Sequence, residues 1–91
     1  MYALVTTRRF DRRLSPFREA PPAIRKRLAR ILRDLEADPF QPHLRLHPLH
    51  GELKGLHAVS LTHAFRITLR FDVEERKIIL LDIGTHDEVY R

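Results

Sequence analysis

Residues 65–71 read FRITLRF, and no other segment restricts the fold of this chain so tightly. Phe65, Ile67, Leu69 and Phe71 alternate with Arg66, Thr68 and Arg70, a period of two that fits a strand with one buried face. The polar stretch DVEER follows, and then KIILLDI, apolar enough for a central strand buried on both sides. A polar connection between two such runs predicts an antiparallel hairpin. Arg66 and Arg70 then share the face turned away from the core, where two arginines side by side suit a phosphate. Upstream, LHAVSL alternates more weakly and adds a third strand to the meander.

The N-terminal half has the other period. YALVTT is short and β-prone, a first strand. From Arg8 to Phe17, Phe10, Leu14 and Phe17 fall at helical spacing among arginines. APP interrupts the pattern, and Pro22 fits the first turn of a second helix. Along that helix Ile24, Leu28, Ile31, Leu32 and Leu35 line one face, while Arg25, Lys26, Arg30 and Arg33 take the other. ADPF ends it, because a residue before proline is pushed out of the α region. The order β-α-α-β-β-β predicts one α+β domain over residues 1–91, a mostly antiparallel sheet with two N-terminal helices packed on one face.

The charge is unevenly placed. Residues 1–35 hold ten basic and three acidic side chains, net +7, whereas residues 36–91 hold seven and nine, net −2. Arginine's planar fork suits phosphates, so a basic half of this kind is either a solvated helix face or a surface for a polyanion. There is no cysteine, which excludes disulfides and thiolate metal sites and fits a reducing, cytoplasmic location. No stretch is apolar for long enough to span a bilayer, and the opening residues lack the core of a signal peptide.

QPHLRLHPLHGELKG, with two prolines, two glycines and three histidines, reads as a long ordered loop. The chain has six histidines: His43, His47, His50, His57, His63 and His86. Histidine titrates near ~6.5, where proton transfer at neutral pH is useful. The spacing of His43, His47 and His50 would suit a zinc pair on a helix, but Pro42 and Pro48 deny it that helix, and no metal site is expected. For His43, His50 and His57 the plain expectation is a surface or capping side chain. Gly51 and Gly55 match neither a Walker loop nor a dinucleotide fingerprint.

Taken together, HPLHGELKGL, the strand FRITLRF and the terminal IILLDIGTHDEVY resemble the RelE/ParE superfamily of bacterial toxins, nearest the RelE-like, YafQ-type mRNA interferases. The paired blocks HPL-x-G-x-x-KG and GTH-x-x-x-Y carry the likeness. The resemblance implies the toxin of a type II toxin–antitoxin pair, a cofactor-free and metal-independent endoribonuclease that cuts mRNA on the ribosome. Its partners would be a cognate antitoxin protein, the ribosome and mRNA.

Residue by residue, the resemblance implies proton transfer by His47 and His86, phosphate stabilisation by Arg66, and an orienting or base-stacking role for Tyr90. Lys54, on the lysine of the KG turn, and Arg70 would contact RNA. A gapless alignment places Ser60 and Ala64 where YafQ-type toxins carry a histidine and an aspartate. His63, beside the second position, is the candidate substitute. A final strand is expected to carry His86 and Tyr90 to the rim of the site. On the same fold, ParE-like members inhibit DNA gyrase without nuclease chemistry, and an RNA-binding homologue that cuts weakly or not at all is a third reading. The histidine of GTHDEVY favours the nuclease.

Overall fold

A computed structural model describes residues 1–90. The chain runs β1 (Ala3–Thr6), α1 (Arg8–Leu14), a 3₁₀ turn (Ser15–Glu19), α2 (Pro22–Ala37), a second 3₁₀ turn (Pro42–Leu44) and β2 (His47–Pro48). A third 3₁₀ turn (Gly51–Leu53), β3 (His57–Ser60), β4 (Phe65–Asp72), β5 (Lys77–Thr85) and α3 (His86–Val89) complete it. The strands form one sheet in the order β1-β5-β4-β3-β2. All pairings are antiparallel except β1 with β5.

The periodic segments fold as their patterns require. β4 and β5 pair along their length, with Leu81 the extra residue of a bulge, since Thr68 faces Asp82 while Leu69 faces Leu80. In the turn between them the Asp72 carboxylate accepts from the Glu75 amide at 3.2 Å, and Arg76 takes the left-handed φ of +52°. Pro22 opens α2, and Asp38, before Pro39, closes it in an extended conformation. Thr7 caps α1 through its hydroxyl, which accepts from the Phe10 amide at 3.2 Å and donates to the Leu80 carbonyl at 2.9 Å.

The helices bring Phe10, Leu28, Ile31 and Leu35 into one buried cluster with Val59, Ile67, Leu69, Ile78, Leu80 and Ile83 of the strands. At about 1.5–3 kcal/mol for each large apolar side chain buried, this cluster dominates the stability of the fold. The aromatic rings of the alternating strand mark its two ends. Phe65 meets Phe17 edge-on at 5.1 Å, and Phe71 meets Tyr2 at 5.8 Å and His57 at 5.1 Å.

Three expectations need correction. The histidine-rich loop contains an edge strand, β2, whose His47 lies opposite Ala58 of β3. His57 is not a surface side chain: it is half-buried on the Phe71 ring. The last strand does not carry His86 and Tyr90, because the chain leaves the sheet at Thr85 and turns into α3. Thr85 and Glu88 build a reciprocal cap: the Thr85 amide donates to Glu88 Oε1 at 2.8 Å, and the Glu88 amide donates to Thr85 Oγ1 at 3.3 Å.

Candidate active site

The sheet register dictates which side chains share a face. Cross-strand partners project together, so His47 stands in line with Ala58 and Thr68, and Ser60 in line with Arg66 and Gly84. Beyond the end of β5, α3 brings its own residues to the same place. The result is an open cleft of about 820 Å³ walled by His47, Arg66, His86 and Tyr90, together with Arg45, His50 and Ser60. Leu46, Pro48, Leu49 and Leu53 supply its apolar part. Among the described residues, none of the twelve Asp and Glu side chains lines this cleft.

Each polar group is held by a specific contact. Arg45 occupies the left-handed region at φ +53°, where a non-glycine residue is uncommon. Its carbonyl oxygen lies 2.8 Å from His47 Nδ1. A carbonyl only accepts, so Nδ1 carries a proton and Nε2 is the nitrogen left free for chemistry. Arg66 Nη1 donates to Ser60 Oγ at 3.1 Å, fixing one edge of the guanidinium. His86 begins α3 and meets the Tyr90 ring edge-on at 4.3 Å, the i,i+4 contact of one helical turn. The same imidazole lies 3.6 Å from the exposed Asp87 carboxylate.

The Tyr90 hydroxyl is buried and has no hydrogen-bond partner among the described residues. Burial pushes its pKa up, and the positive charge of Arg66 pulls it part of the way back. Tyr90 therefore enters the cleft as a neutral phenol beside Arg66, with an O–H still to be satisfied.

α3 is located by charge as well as by its cap. Asp82, buried on β5, pairs with Arg9 at 3.1 Å and Arg13 at 3.2 Å, and Arg13 continues to Glu88 at 3.3 Å. Two arginines of the basic half thus anchor α1 and α3 instead of facing solvent alone. A Cβ at Gly84 would come within 2.7 Å of Arg13 Nη2 and 2.9 Å of Glu88 Oε1, so the glycine of the GTH block makes room for this pair. The Glu88 carboxyl is held below its ordinary range, first by the Thr85 amide and hydroxyl and then by Arg13.

His47, Arg66, His86 and Tyr90 are the expected residues that the structure gathers into one cleft. His63 is outside it, exposed at the β3–β4 turn and lining a neighbouring hollow. Lys54 and Arg70 are exposed and line neither. Arg91 lies outside the described residues. Arg45 is a cleft residue that the sequence did not single out, and His50, expected as a surface or capping side chain, is exposed and also lines the cleft. His43, by contrast, is the surface side chain expected, 2.7 Å from Asp34 at the end of α2.

A meander flanked by a parallel first strand, two helices on one face, and a histidine-bearing terminus folded over the sheet define a RelE/ParE-type toxin fold. Solved structures confirm that fold. YafQ from E. coli superposes with a TM-score of 0.80 at 12% identity over 100% of both chains. The YoeB/ParE toxin from Agrobacterium tumefaciens gives 0.79 at 17% identity, covering 92% of this chain and 98% of that one. The toxin–antitoxin complex RelBE2 from Mycobacterium tuberculosis gives 0.67 at 25% identity, covering 93% and 98%. No protein-family model and no curated protein matches the sequence.

Proposed function

We propose that this protein is the toxin of a type II toxin–antitoxin pair and cleaves mRNA on the ribosome, in the cytoplasm. The observation that carries the reading is the cleft itself: three imidazoles, two arginines and a buried phenol around one hollow, with no carboxylate among the described residues of its wall. A polyanion is drawn to such a site, and RNA brings its own nucleophile. A solved toxin–antitoxin complex among the similar structures supports an antitoxin partner.

In the proposed reaction the ribose 2′-hydroxyl attacks the adjacent phosphorus. The O2′–P bond forms, the P–O5′ bond breaks, and the products carry a 2′,3′-cyclic phosphate and a 5′-hydroxyl. His47 takes the 2′-hydroxyl proton on Nε2, the nitrogen that the Arg45 carbonyl leaves free. His86 gives a proton to the departing O5′. Arg66 and the Tyr90 hydroxyl donate to the phosphate oxygens as negative charge accumulates on them. Leu46, Leu49 and Leu53 offer apolar surface to a base or ribose, and Lys54 contacts the RNA backbone beyond the cleft. With Ser60 and Ala64 at the two positions where the resemblance would place ionisable groups, the reading assigns proton transfer to His47 and His86. His63 stands too far along the turn to line the same wall.

Primer extension on an mRNA translated in a reconstituted system tests this, with wild type beside His86→Ala. Cuts at fixed codon positions, weakened by about 10²–10⁴-fold in the variant, are the expected result. An uncut message with unimpaired translation, together with blocked supercoiling by gyrase, would refute it in favour of a ParE-like inhibitor.

A further inference from the structure

Beside the cleft lies a second hollow of about 340 Å³, on the other side of a wall formed by Arg45, Ser60 and Arg66. Arg27 from α2, His43, Thr62 and His63 complete its lining. The two hollows differ in one respect that matters. The cleft has a leucine-rich part, whereas every residue of the lateral hollow is cationic, ionisable or hydroxyl-bearing, with no apolar side chain and no carboxylate.

Charge here is left uncompensated. Among the described residues no carboxylate pairs with Arg27, Arg45 or Arg66, and Asp34 lies 2.7 Å from the lining residue His43. Arg27 is also pre-positioned, since its Nε donates to the Leu61 carbonyl at 2.5 Å, with no hydrogen bond from its terminal nitrogens among the described residues. Fixed guanidinium forks flanked by hydroxyls suit a phosphate. With no aliphatic, Phe, Tyr or Trp side chain in its lining, the hollow offers an apolar peptide side chain little to bury against, and its fixed charges favour an anion.

We propose that the lateral hollow binds the phosphate next to the scissile one on the same RNA strand, so that Arg45 and Arg66 stand between two consecutive phosphates. This rests on the nuclease reading of the cleft and extends it. Arg27 and His63 become positioning residues: they set which internucleotide bond lies between His47 and His86, without touching the reacting atoms. The position of His63, outside the cleft yet beside Arg66, acquires a role on this account.

The test uses 2′-O-methyl hexaribonucleotides, which bind but lack the nucleophile, with one phosphate at a time replaced by a neutral methylphosphonate. Binding is read by fluorescence anisotropy at fixed salt, for wild type, Arg27→Gln and His63→Ala. Two adjacent sensitive positions are expected in wild type, each costing about tenfold in affinity. In both variants one of the two sensitivities disappears and the other persists. Arg27 also holds a backbone carbonyl, so the exposed His63→Ala guards against a folding defect. A single sensitive position in wild type, or a uniform loss in both variants, overturns the proposal. So does a glutamate-rich peptide of equal charge that loses affinity in both variants while the RNA scan does not, because the hollow would then serve an acidic protein. Failure of the nuclease reading looks different: two sensitive positions in a wild type that never cuts mRNA would keep the lateral site and discard the cleavage.

Discussion

Ser60 stands where the resemblance would place a further histidine, yet it holds Arg66, and its removal gives a sharp prediction. Ser60→Ala deletes the acceptor that Arg66 Nη1 reaches at 3.1 Å and leaves the sheet and core untouched. A hydrogen bond involving a charged group contributes about 1.5–3 kcal/mol net. At the lower end, appropriate to a half-buried guanidinium open to water on one side, the loss is about 1.5 kcal/mol, or roughly tenfold in rate. Arg66→Ala removes the whole transition-state contact and costs about 10²–10³-fold. Because Ser60 acts through Arg66, the two losses do not add: in the Arg66→Ala background Ser60→Ala changes the rate by less than about twofold. Single-turnover cleavage of ribosome-bound mRNA by the four proteins of the cycle measures this, with melting temperatures confirming intact folds. A tenfold loss in both backgrounds would refute the reasoning and make Ser60 an independent contact. No loss in either would mean the hydrogen bond does nothing for catalysis.

Three other outcomes follow from the same geometry. In a Tyr2→Phe protein, the ultraviolet absorbance of phenolate should report Tyr90 ionising above the ordinary tyrosine range, and higher still after Arg66→Ala, because Arg66 is the group that lowers it. Glu88 is held low in the folded chain, so its contribution is present above the unfolded glutamate value and is lost as pH falls through the folded one. Protection of the amides of 85–88 against hydrogen exchange, taken relative to the intrinsic rate at each pH, should therefore fall on acidification in that window, and Glu88→Gln should abolish that change in protection. Phe10→Ala empties a site only 1% exposed at the centre of the core and should lower unfolding stability by about 3–5 kcal/mol in a denaturant titration. A loss under 1 kcal/mol would mean the core closes over the gap.

What the sequence disclosed depended on whether a segment had room for a period. α2 and β4 run for sixteen and eight residues, long enough for their apolar positions to repeat, and both were legible. β2 has two residues and cannot show alternation, and its pairing with β3 depends on partners nine and eleven residues away. α3 is a single turn directly behind an apolar strand, so it read as more strand. A signal was there, since Thr85 and Glu88 have the spacing of a capping box. The cleft followed the same logic. His47, Arg66, His86 and Tyr90 were named through motif likeness, and the sheet register together with the α3 turn brings them together. Arg45 and His50 belong to no periodic pattern and became visible only with the loop folded. The +7 half misled in part: Arg9 and Arg13 pair with the buried Asp82.

The account stands or falls on the RNA supplying its own nucleophile between His47 and His86. The direct measurement is cleavage of a ribosome-bound mRNA carrying a single 2′-deoxynucleotide on the 5′ side of the cut phosphate. Complete protection at that one bond, with unmodified messages yielding a 2′,3′-cyclic phosphate end, is the predicted result. Cutting at the deoxy position as fast as at the ribose would contradict it, because the proton-transfer roles given to His47 and His86 would have no 2′-hydroxyl to act on.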